Sequence, residues 1–268
     1  MSDAVLLDHP RPDITVITLN RPEKLNAMNR DLVISLHKAL DAVDADTNCR
    51  VAIVTGAGRG FCAGLDLSGY GTVPAGEAMG NIHQLLHIQQ EIAQLIPHLR
   101  SVRKPVIAAV NGPAAGGGLA VVLGADIRIA AESARFNVAF VRIGLSGCDT
   151  GVSWLLPRLV GAARAHELLL TGRIFDAREA EHIGLVTQVV PDSELIDAAM
   201  TKADLVCANS PFGIWMTKEV MWSNLEVSSQ RAAIDLENRT QILAMQTADM
   251  AEAMSAFLQK RPPNFENR

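Results

Sequence analysis

Three consecutive glycines, Gly116 to Gly118, restrict most strongly what this chain can form. The apolar run before them, residues 104–110, is typical of a buried strand, and the run after them, residues 119–125, suits a helix. Glycines at such a junction cost backbone entropy unless something must approach the backbone closely. A helix N-terminus directs unpaired N–H groups at one point, which suits an oxygen that gains negative charge. The pattern predicts an oxyanion-binding turn, and a tight turn packed on a neighbour is the alternative.

A second unit of strand and loop precedes the first. Residues 51–55 are another apolar run, and the loop after them contains Phe61-Cys-Ala-Gly-Leu-Asp-Leu67. In this order and spacing, the segments 61–67 and 111–118 resemble the two signature loops of the crotonase (enoyl-CoA hydratase/isomerase) superfamily. The resemblance extends from residue 15 to residue 261. It implies an α/β fold of the crotonase-like (ClpP/crotonase) type, a spiral of ββα units with a C-terminal helical trimerisation region.

Composition is compatible with this fold and excludes several other classes. The 268 residues are 49% hydrophobic, which allows one large core. A net charge of −5 does not favour nucleic-acid binding. We expect no membrane partner, because no apolar run is long enough to span a bilayer. The four cysteines show no metal-site spacing, so we predict reduced thiols, a cytoplasmic location and no bound metal.

Hydrophobic spacing predicts the elements and their division into two regions. We expect strands at 13–19, 51–55, 126–130 and 185–190. The expected helices are at 30–44, 82–99, 152–160 with an interruption near Pro157, 162–170, 192–208, 213–224, 228–246 and 248–259. Residues 68–81 are predicted to form a loop. This gives a spiral acyl-CoA-binding core over 1–205 and a helical region over 206–268.

The family resemblance also implies which residues contact an acyl-CoA. Backbone N–H groups of Ala63 and Gly117 would bind the thioester oxygen as an enolate forms. Coenzyme A is part of the substrate, and no other cofactor is implied. The residues implied to contact it are Lys24, Leu25, Ala27, Ala63, Asp66, Leu67 and Gly116, together with Phe257 and Lys260 from a neighbouring subunit. We therefore expect a homotrimer or a dimer of trimers.

The usual catalytic pair of the family is missing from this sequence. Hydratases of the family use two glutamates, and the matching positions are Ala120 and Phe140. Neither side chain can transfer a proton, so the two-glutamate hydration mechanism is not available. Asp149 matches a catalytic aspartate of related dienoyl-CoA isomerases and 4-chlorobenzoyl-CoA dehalogenases. Its alternative role is to cap the helix that follows it.

Two other classes of function remain open at this point. The loss of both glutamates is compatible with an acyl-CoA-binding protein without turnover. Asp149 could also act as a nucleophile in a dehalogenase-like or thioesterase-like reaction, although Ala93 replaces the dehalogenase histidine. Cys148 is interpreted as a packing residue, because no histidine near it in sequence could activate its thiol. The leading hypothesis is an acyl-CoA hydratase/isomerase-family enzyme with Asp149 as its acid and base.

Overall fold

The computed structural model describes residues 4–74 and 80–267. Its strands are β1 (Val5–Arg11), β2 (Ile14–Leu19), β3 (Val51–Gly56), β4 (Val106–Val110), β5 (Ala114–Ala115), β6 (Ile127–Ala131), β7 (Arg135–Asn137), β8 (Phe175–Asp176) and β9 (Gln188–Val190). Its α-helices are α1 (Arg30–Ala45), α2 (Asn81–Ala93), α3 (Leu95–Ser101), α4 (Gly117–Gly124), α5 (Val152–Val160), α6 (Ala162–Thr171), α7 (Ala177–His182), α8 (Leu195–Cys207), α9 (Pro211–Asn224), α10 (Gln230–Met245) and α11 (Ala248–Gln259).

The larger of two sheets determines where the two glycine-rich loops emerge. Its strand order is β1-β2-β3-β4-β6-β9, with β1 antiparallel to β2 and the other pairs parallel. Because β3 and β4 are parallel neighbours, the loops that follow them leave the same edge of the sheet. In open parallel sheets this edge is where ligands bind. A smaller sheet, β5-β7-β8, begins inside the second loop.

Both faces of the larger sheet are covered, as expected of parallel strands. One face contributes Ile53, Ile107 and Ile129 to a cluster closed by α8 through Leu195 and Ala199. The opposite face packs in the main core against α1, α3, α4 and α5. Every residue of α4 is buried, so this helix has no polar face. The helix that follows the glycine-rich loop is therefore held by packing on all sides.

Most predicted elements are confirmed, and three differ for identifiable reasons. The predicted helix 82–99 is two helices, since Pro97 lacks the N–H that would continue the ladder across Gln94. The interruption predicted near Pro157 is wrong. Helix α5 continues to Val160, and the Pro157 carbonyl still accepts from Gly161 N–H at 3.0 Å. The last strand is shorter than predicted, beginning at Gln188.

The predicted loop 68–81 is described only in part. Residues 68–74 contain neither helix nor strand, as predicted, and residues 75–79 lie outside the described part of the chain. Helix α2 begins at Asn81, the last residue of the predicted loop. None of the helices formed by described residues is long and apolar enough to cross a bilayer.

The C-terminal helices are joined to the core by one buried ion pair. Lys218 Nζ of α9 lies 2.9 Å from Asp126 Oδ2, and Trp222 Nε1 donates to Asp126 Oδ1 at 2.9 Å. Asp126 also accepts from the N–H of Val106 at 2.7 Å, at the start of β4. A buried charge needs such partners, because burying it alone costs several kcal/mol. The pair fixes α9 against the sheet and gives Asp126 a structural role.

Candidate active site

The loops after β3 and β4 are bonded to each other through their backbones. The N–H groups of Phe61 and Cys62 donate to the carbonyl of Pro113 at 3.1 and 3.0 Å, and Ala115 N–H donates to the carbonyl of Cys62 at 3.0 Å. This parallel contact places Ala63 next to Gly116 and Gly117 at the start of α4. The two loops recognised in the sequence therefore form one backbone surface.

Close backbone approach explains two of the glycines. A Cβ built on Gly118 would lie 2.1 Å from the Cys62 carbonyl oxygen, far inside van der Waals contact. Gly64 has φ of +91°, and a Cβ there would lie 2.8 Å from the Ala115 carbonyl oxygen. Neither position can hold a side chain. This agrees with the prediction that the glycines lie where something approaches the backbone closely.

Two asparagines that the sequence analysis did not single out organise these loops. Asn26 is fully buried, and its amide donates to the carbonyls of Ala57 and Gly60 at 3.0 and 2.7 Å. Its Oδ1 accepts from the N–H of Arg21 at 2.8 Å. Asn111 exchanges hydrogen bonds with Gly56 at 3.0 and 2.8 Å. An asparagine within a loop is an ordinary turn residue in sequence, so the pattern carried no signal for either role.

A cavity of about 130 Å³ opens between these loops, α2 and the segment before α5. Its walls are mostly apolar and include Met28, Leu65, Ile92, Phe140 and Leu145. Asp149 is the only ionisable side chain among the described residues that line it. Larger cavities of about 300 and 330 Å³ lie between α9 and the core, away from both loops. The smaller cavity thus combines a carboxylate with the backbone surface of the two loops.

The two predicted oxyanion donors are not equivalent in the structure. Gly117 N–H makes no hydrogen bond to any described residue, so it is available to a ligand. Ala63 N–H donates to the carbonyl of Leu25 at 3.0 Å. Leu25 has φ of +50°, an uncommon conformation for a residue with a side chain, and this conformation accompanies the contact. An incoming oxygen would have to share the Ala63 N–H with Leu25.

Asp149 lies on a strained turn just before α5. Thr150 has φ of +44° and is followed by Gly151 at +81°. A β-branched residue with positive φ is a genuine outlier, and such outliers concentrate at functional sites. Asp149 Oδ1 accepts from Thr150 N–H at 2.7 Å and from Gln89 Nε2 at 2.5 Å. Gln89, like Asn26 and Asn111, is a residue of the site that the sequence did not indicate.

The alternative of a helix cap has little support in this geometry. The N-cap residue of α5 is Gly151, and no described side chain, that of Asp149 included, caps the helix. Asp149 contributes only its backbone carbonyl to the first turn, accepting from Val152 N–H at 2.8 Å. Its carboxylate faces the cavity and is partly exposed. The side chain is therefore free for a role other than capping.

Neither neighbouring cysteine is suited to act as a nucleophile. Cys62 is fully buried, and this burial raises the pKa of its thiol to about 12. Cys148 is exposed and is not among the cavity-lining residues, so its interpretation as a packing residue is wrong. The turn that carries Cys148 leaves its side chain outside the core. No group of three or more His, Cys, Asp or Glu within the described ranges is placed to hold a metal ion.

Most residues implied to contact coenzyme A lie on the rim of the cavity or on the loops beside it. Lys24 and Leu67 are exposed, and Leu25 is half-buried. Ala27, beside them, is buried. Phe257 and Lys260 lie at the end of α11, where Phe257 is 79% exposed and Lys260 ends the helix with φ of +54°. The contacts of these residues with coenzyme A stay predictions.

Asp66, one of the residues implied to contact coenzyme A, also holds two loops together. Its carboxylate accepts from the Ser68 hydroxyl and N–H at 2.5 and 3.0 Å and pairs with Arg21 at 3.0 Å. These hydrogen bonds, with those from Ser68 the strongest, lower the pKa of Asp66 to about 2. Arg21 in turn donates to the Ala27 carbonyl at 2.5 Å. Asp66 therefore ties the loop over 21–27 to the loop over 61–68.

Asp66→Asn is expected to lower the free energy of unfolding at neutral pH by about 2 kcal/mol, as for other hydrogen-bonded charges. The folded pKa lies below the unfolded value of about 3.9, so this stability is present above pH ~4 and is lost as pH falls towards 2. Urea unfolding at several pH values measures it. Asp8→Asn, on the exposed strand β1, is the control. A deficit of equal size in both variants, or one that persists at pH 2, would contradict this account.

Comparison with known proteins agrees with this geometry. The family model for enoyl-CoA hydratase/isomerase matches residues 11–268. A probable enoyl-CoA hydratase from Mycobacterium tuberculosis is 44% identical over 262 residues, covering 97% of this chain and 92% of the relative. A 1,2-epoxyphenylacetyl-CoA isomerase from Escherichia coli is 40% identical over 265 residues, covering 98% of each.

Solved structures give the same result for the fold. The crystal structure of a probable enoyl-CoA hydratase/isomerase from Mycobacterium abscessus superposes with a TM-score of 0.94 at 36% identity, covering 100% of both chains. An enoyl-CoA hydratase from Bacillus anthracis superposes with a TM-score of 0.91 at 33% identity, covering 99% of this chain and 100% of the other. The crotonase-like fold predicted from the sequence is thereby confirmed. The chain belongs to the enoyl-CoA hydratase/isomerase family of acyl-CoA enzymes.

Proposed function

We propose that this protein is an acyl-CoA isomerase that moves a proton along the acyl chain with one carboxylate, Asp149. The observation that carries the proposal concerns the described lining of the cavity: one ionisable side chain, Asp149, lies beside the Gly117 N–H, which bonds to no described residue. The E. coli relative at 40% identity is itself named an isomerase, which supports this choice.

The number of acid–base groups distinguishes isomerisation from hydration. Adding water to a double bond requires one group to activate the water and a means of protonating the α-carbon. The two hydratase glutamate positions hold Ala120, fully buried in α4, and Phe140, whose ring forms part of the cavity wall. Shifting a double bond adds no water, so one carboxylate can take a proton and return it elsewhere. The residues present therefore suit isomerisation.

The proposed reaction begins with a β,γ-unsaturated acyl-CoA. The Asp149 carboxylate takes a proton from the α-carbon, and the C–H electron pair becomes part of a dienolate whose negative charge is on the thioester oxygen. The protonated Asp149 then returns the proton to the γ-carbon. The double bond moves to the α,β position, the carboxylate is restored, and neither water nor an oxidant is consumed.

The dienolate oxygen would be stabilised by the N–H groups of Gly117 and Ala63. In the part of the chain that the structure describes, nothing accepts from Gly117 N–H, and the positive end of the α4 dipole adds to its effect. Ala63 N–H would donate to the oxygen and to the Leu25 carbonyl together, as a three-centre hydrogen bond. Donors fixed before the reaction cost no reorganisation when charge develops.

We also infer a homotrimer or a dimer of trimers, formed through α9 to α11 and located in the cytoplasm. Large apolar side chains are exposed along these helices, among them Met221, Ile242, Leu243 and Leu258. Such faces are typical of subunit interfaces. In that assembly Phe257 and Lys260 would reach the coenzyme A of a neighbouring subunit. All four cysteines are free, as is usual in a reducing compartment.

The test is the product formed from two matched substrates. With a β,γ-unsaturated acyl-CoA, we expect an α,β-unsaturated product of unchanged mass. With the α,β-unsaturated acyl-CoA, we expect at most slow formation of the hydrated product, which is heavier by one water. Mass spectrometry of the thioesters measures both. Hydration faster than isomerisation, or binding without turnover of either substrate, would contradict the proposal.

A further inference from the structure

Gln89 contacts the carboxylate of Asp149 from a different part of the fold. Its Nε2 donates to Asp149 Oδ1 at 2.5 Å, and Thr150 N–H donates to the same oxygen at 2.7 Å. Across the described residues, no donor reaches Asp149 Oδ2. We propose that Gln89 is a positioning residue, which holds Oδ1 and leaves Oδ2 as the oxygen that takes and returns the proton. This inference rests on the proposed function of Asp149.

The helix that carries Gln89 is fixed in place from its other side. Glu91 of α2 pairs with Arg30 of α1 at 3.1 Å and accepts from the Tyr70 hydroxyl at 2.8 Å. Ile92 is buried in the main core. Gln89 and Ile92 are three residues apart, so they share one face of α2, and both line the cavity. The anchors of α2 thus set the position of the Gln89 amide.

A neutral amide is suited to this task. It donates a hydrogen bond to a carboxylate oxygen, and such bonds are stronger than those between neutral groups. It does not add a charge that would neutralise the base, as Lys or Arg would. The amide therefore orients Asp149 and leaves its second oxygen without a donor among the described residues.

Among the described residues, the other titratable groups of α2 and of the turn form no hydrogen bond or ion pair with Asp149. Glu91 is paired with Arg30, and His87 Nε2 lies 3.7 Å from Glu91 Oε2. His83 is exposed on α2, and Cys148 is exposed on the turn. Neither His83 nor Cys148 lines the cavity. Gln89 is therefore the only described side chain of α2 with a hydrogen bond to the Asp149 carboxylate.

Gln89→Met keeps the length of the side chain and removes the donor. We expect kcat to fall about tenfold, the loss that matches one hydrogen bond to a charged group, with KM changed less than about twofold. The loss should appear in kcat because the carboxylate acts on the reacting carbon and does not bind coenzyme A. Steady-state kinetics on the β,γ-unsaturated acyl-CoA at neutral pH measures kcat and KM separately.

Two further variants make the test specific. Gln90→Met is the matched control, since Gln90 is the next residue of α2 and its side chain bonds to no described residue. It should behave as the wild type. Gln89→Glu places a second carboxylate at hydrogen-bond distance from Asp149. This carboxylate would repel that of Asp149 and would not hold its Oδ1, so kcat should fall further than in Gln89→Met.

Distinct results separate the two levels of the proposal. An unchanged kcat for Gln89→Met, an equal loss in Gln90→Met, or a loss confined to KM would overturn the positioning role alone. Isomerisation that survives Asp149→Asn, or no turnover by the wild type, would overturn the proposed function and this inference with it.

Discussion

Asp149→Asn is expected to reduce isomerisation by about 10³-fold, within the range of about 10²–10⁴ for one general acid–base group. The amide has the shape of the carboxylate and can still accept from Thr150 N–H, but it cannot take a proton at neutral pH. The loss should appear in kcat, with KM little changed, because the carboxylate acts on the reacting carbon and not on coenzyme A. Steady-state kinetics on the β,γ-unsaturated acyl-CoA measures it.

Two controls make this result interpretable. The variant should bind a saturated acyl-CoA with unchanged affinity by calorimetry, which shows that the cavity is intact. Asp235→Asn, on the exposed surface of α10, should keep full activity. If Asp149→Asn retains more than about a tenth of the activity, the general acid–base role assigned to Asp149 is wrong.

Gly118→Ala is expected to have the second largest effect. Its Cβ would lie 2.1 Å from the carbonyl oxygen of Cys62, so the two loops must separate or α4 must shift. The neighbouring Gly117 N–H would then move away from the thioester oxygen. Loss of one oxyanion donor costs about 10²–10³-fold in kcat, and overpacking of this kind costs about 1–3 kcal/mol of stability.

The matched control is Gly213→Ala in α9. A Cβ at Gly213 would meet its nearest atom, Ser210 Cβ, at 3.7 Å, an ordinary contact. This variant should be as active as the wild type and slightly more stable, because alanine favours a helix over glycine. Comparable activity of Gly118→Ala and Gly213→Ala would show that close contact between the loops is not required.

Much of the backbone of the site could be predicted from the sequence, because glycines are found where two backbone segments lie close together. The three glycines before α4 and the segment 61–67 indicated a shared oxyanion surface, and the loops are bonded through Cys62, Pro113 and Ala115. Helix limits were also predictable where periodicity was strong, as for α11 at Ala248–Gln259.

The side-chain contacts of the site were not predictable, because they join residues far apart in the chain. Gln89 and Asp149 are 60 positions apart, and nothing in either local pattern indicates that they meet. Asn26 is a similar case, since its three hydrogen bonds reach two different loops. The hydrogen bond from Ala63 N–H to the Leu25 carbonyl was not predictable either. It accompanies a positive φ at Leu25, which is uncommon for leucine.

The proline errors have a local physical origin. Both Pro97 and Pro157 remove one N–H, but only the first coincides with a break between helices. In α5 the flanking residues Val152, Leu155 and Leu156 are buried, so packing offsets the lost hydrogen bond. The helix propensity of proline does not include this stabilisation by tertiary packing.

The most direct test of the central claim is proton exchange in heavy water. Wild type and Asp149→Asn would be incubated with saturated, β,γ-unsaturated and α,β-unsaturated acyl-CoA thioesters, and deuterium would be located by mass spectrometry. We predict deuterium at the α- and γ-carbons of the unsaturated thioesters with the wild type, no incorporation with the variant, and at most slow formation of a hydrated product. Exchange that persists in Asp149→Asn, or binding by the wild type without any exchange, would contradict a single-carboxylate isomerase.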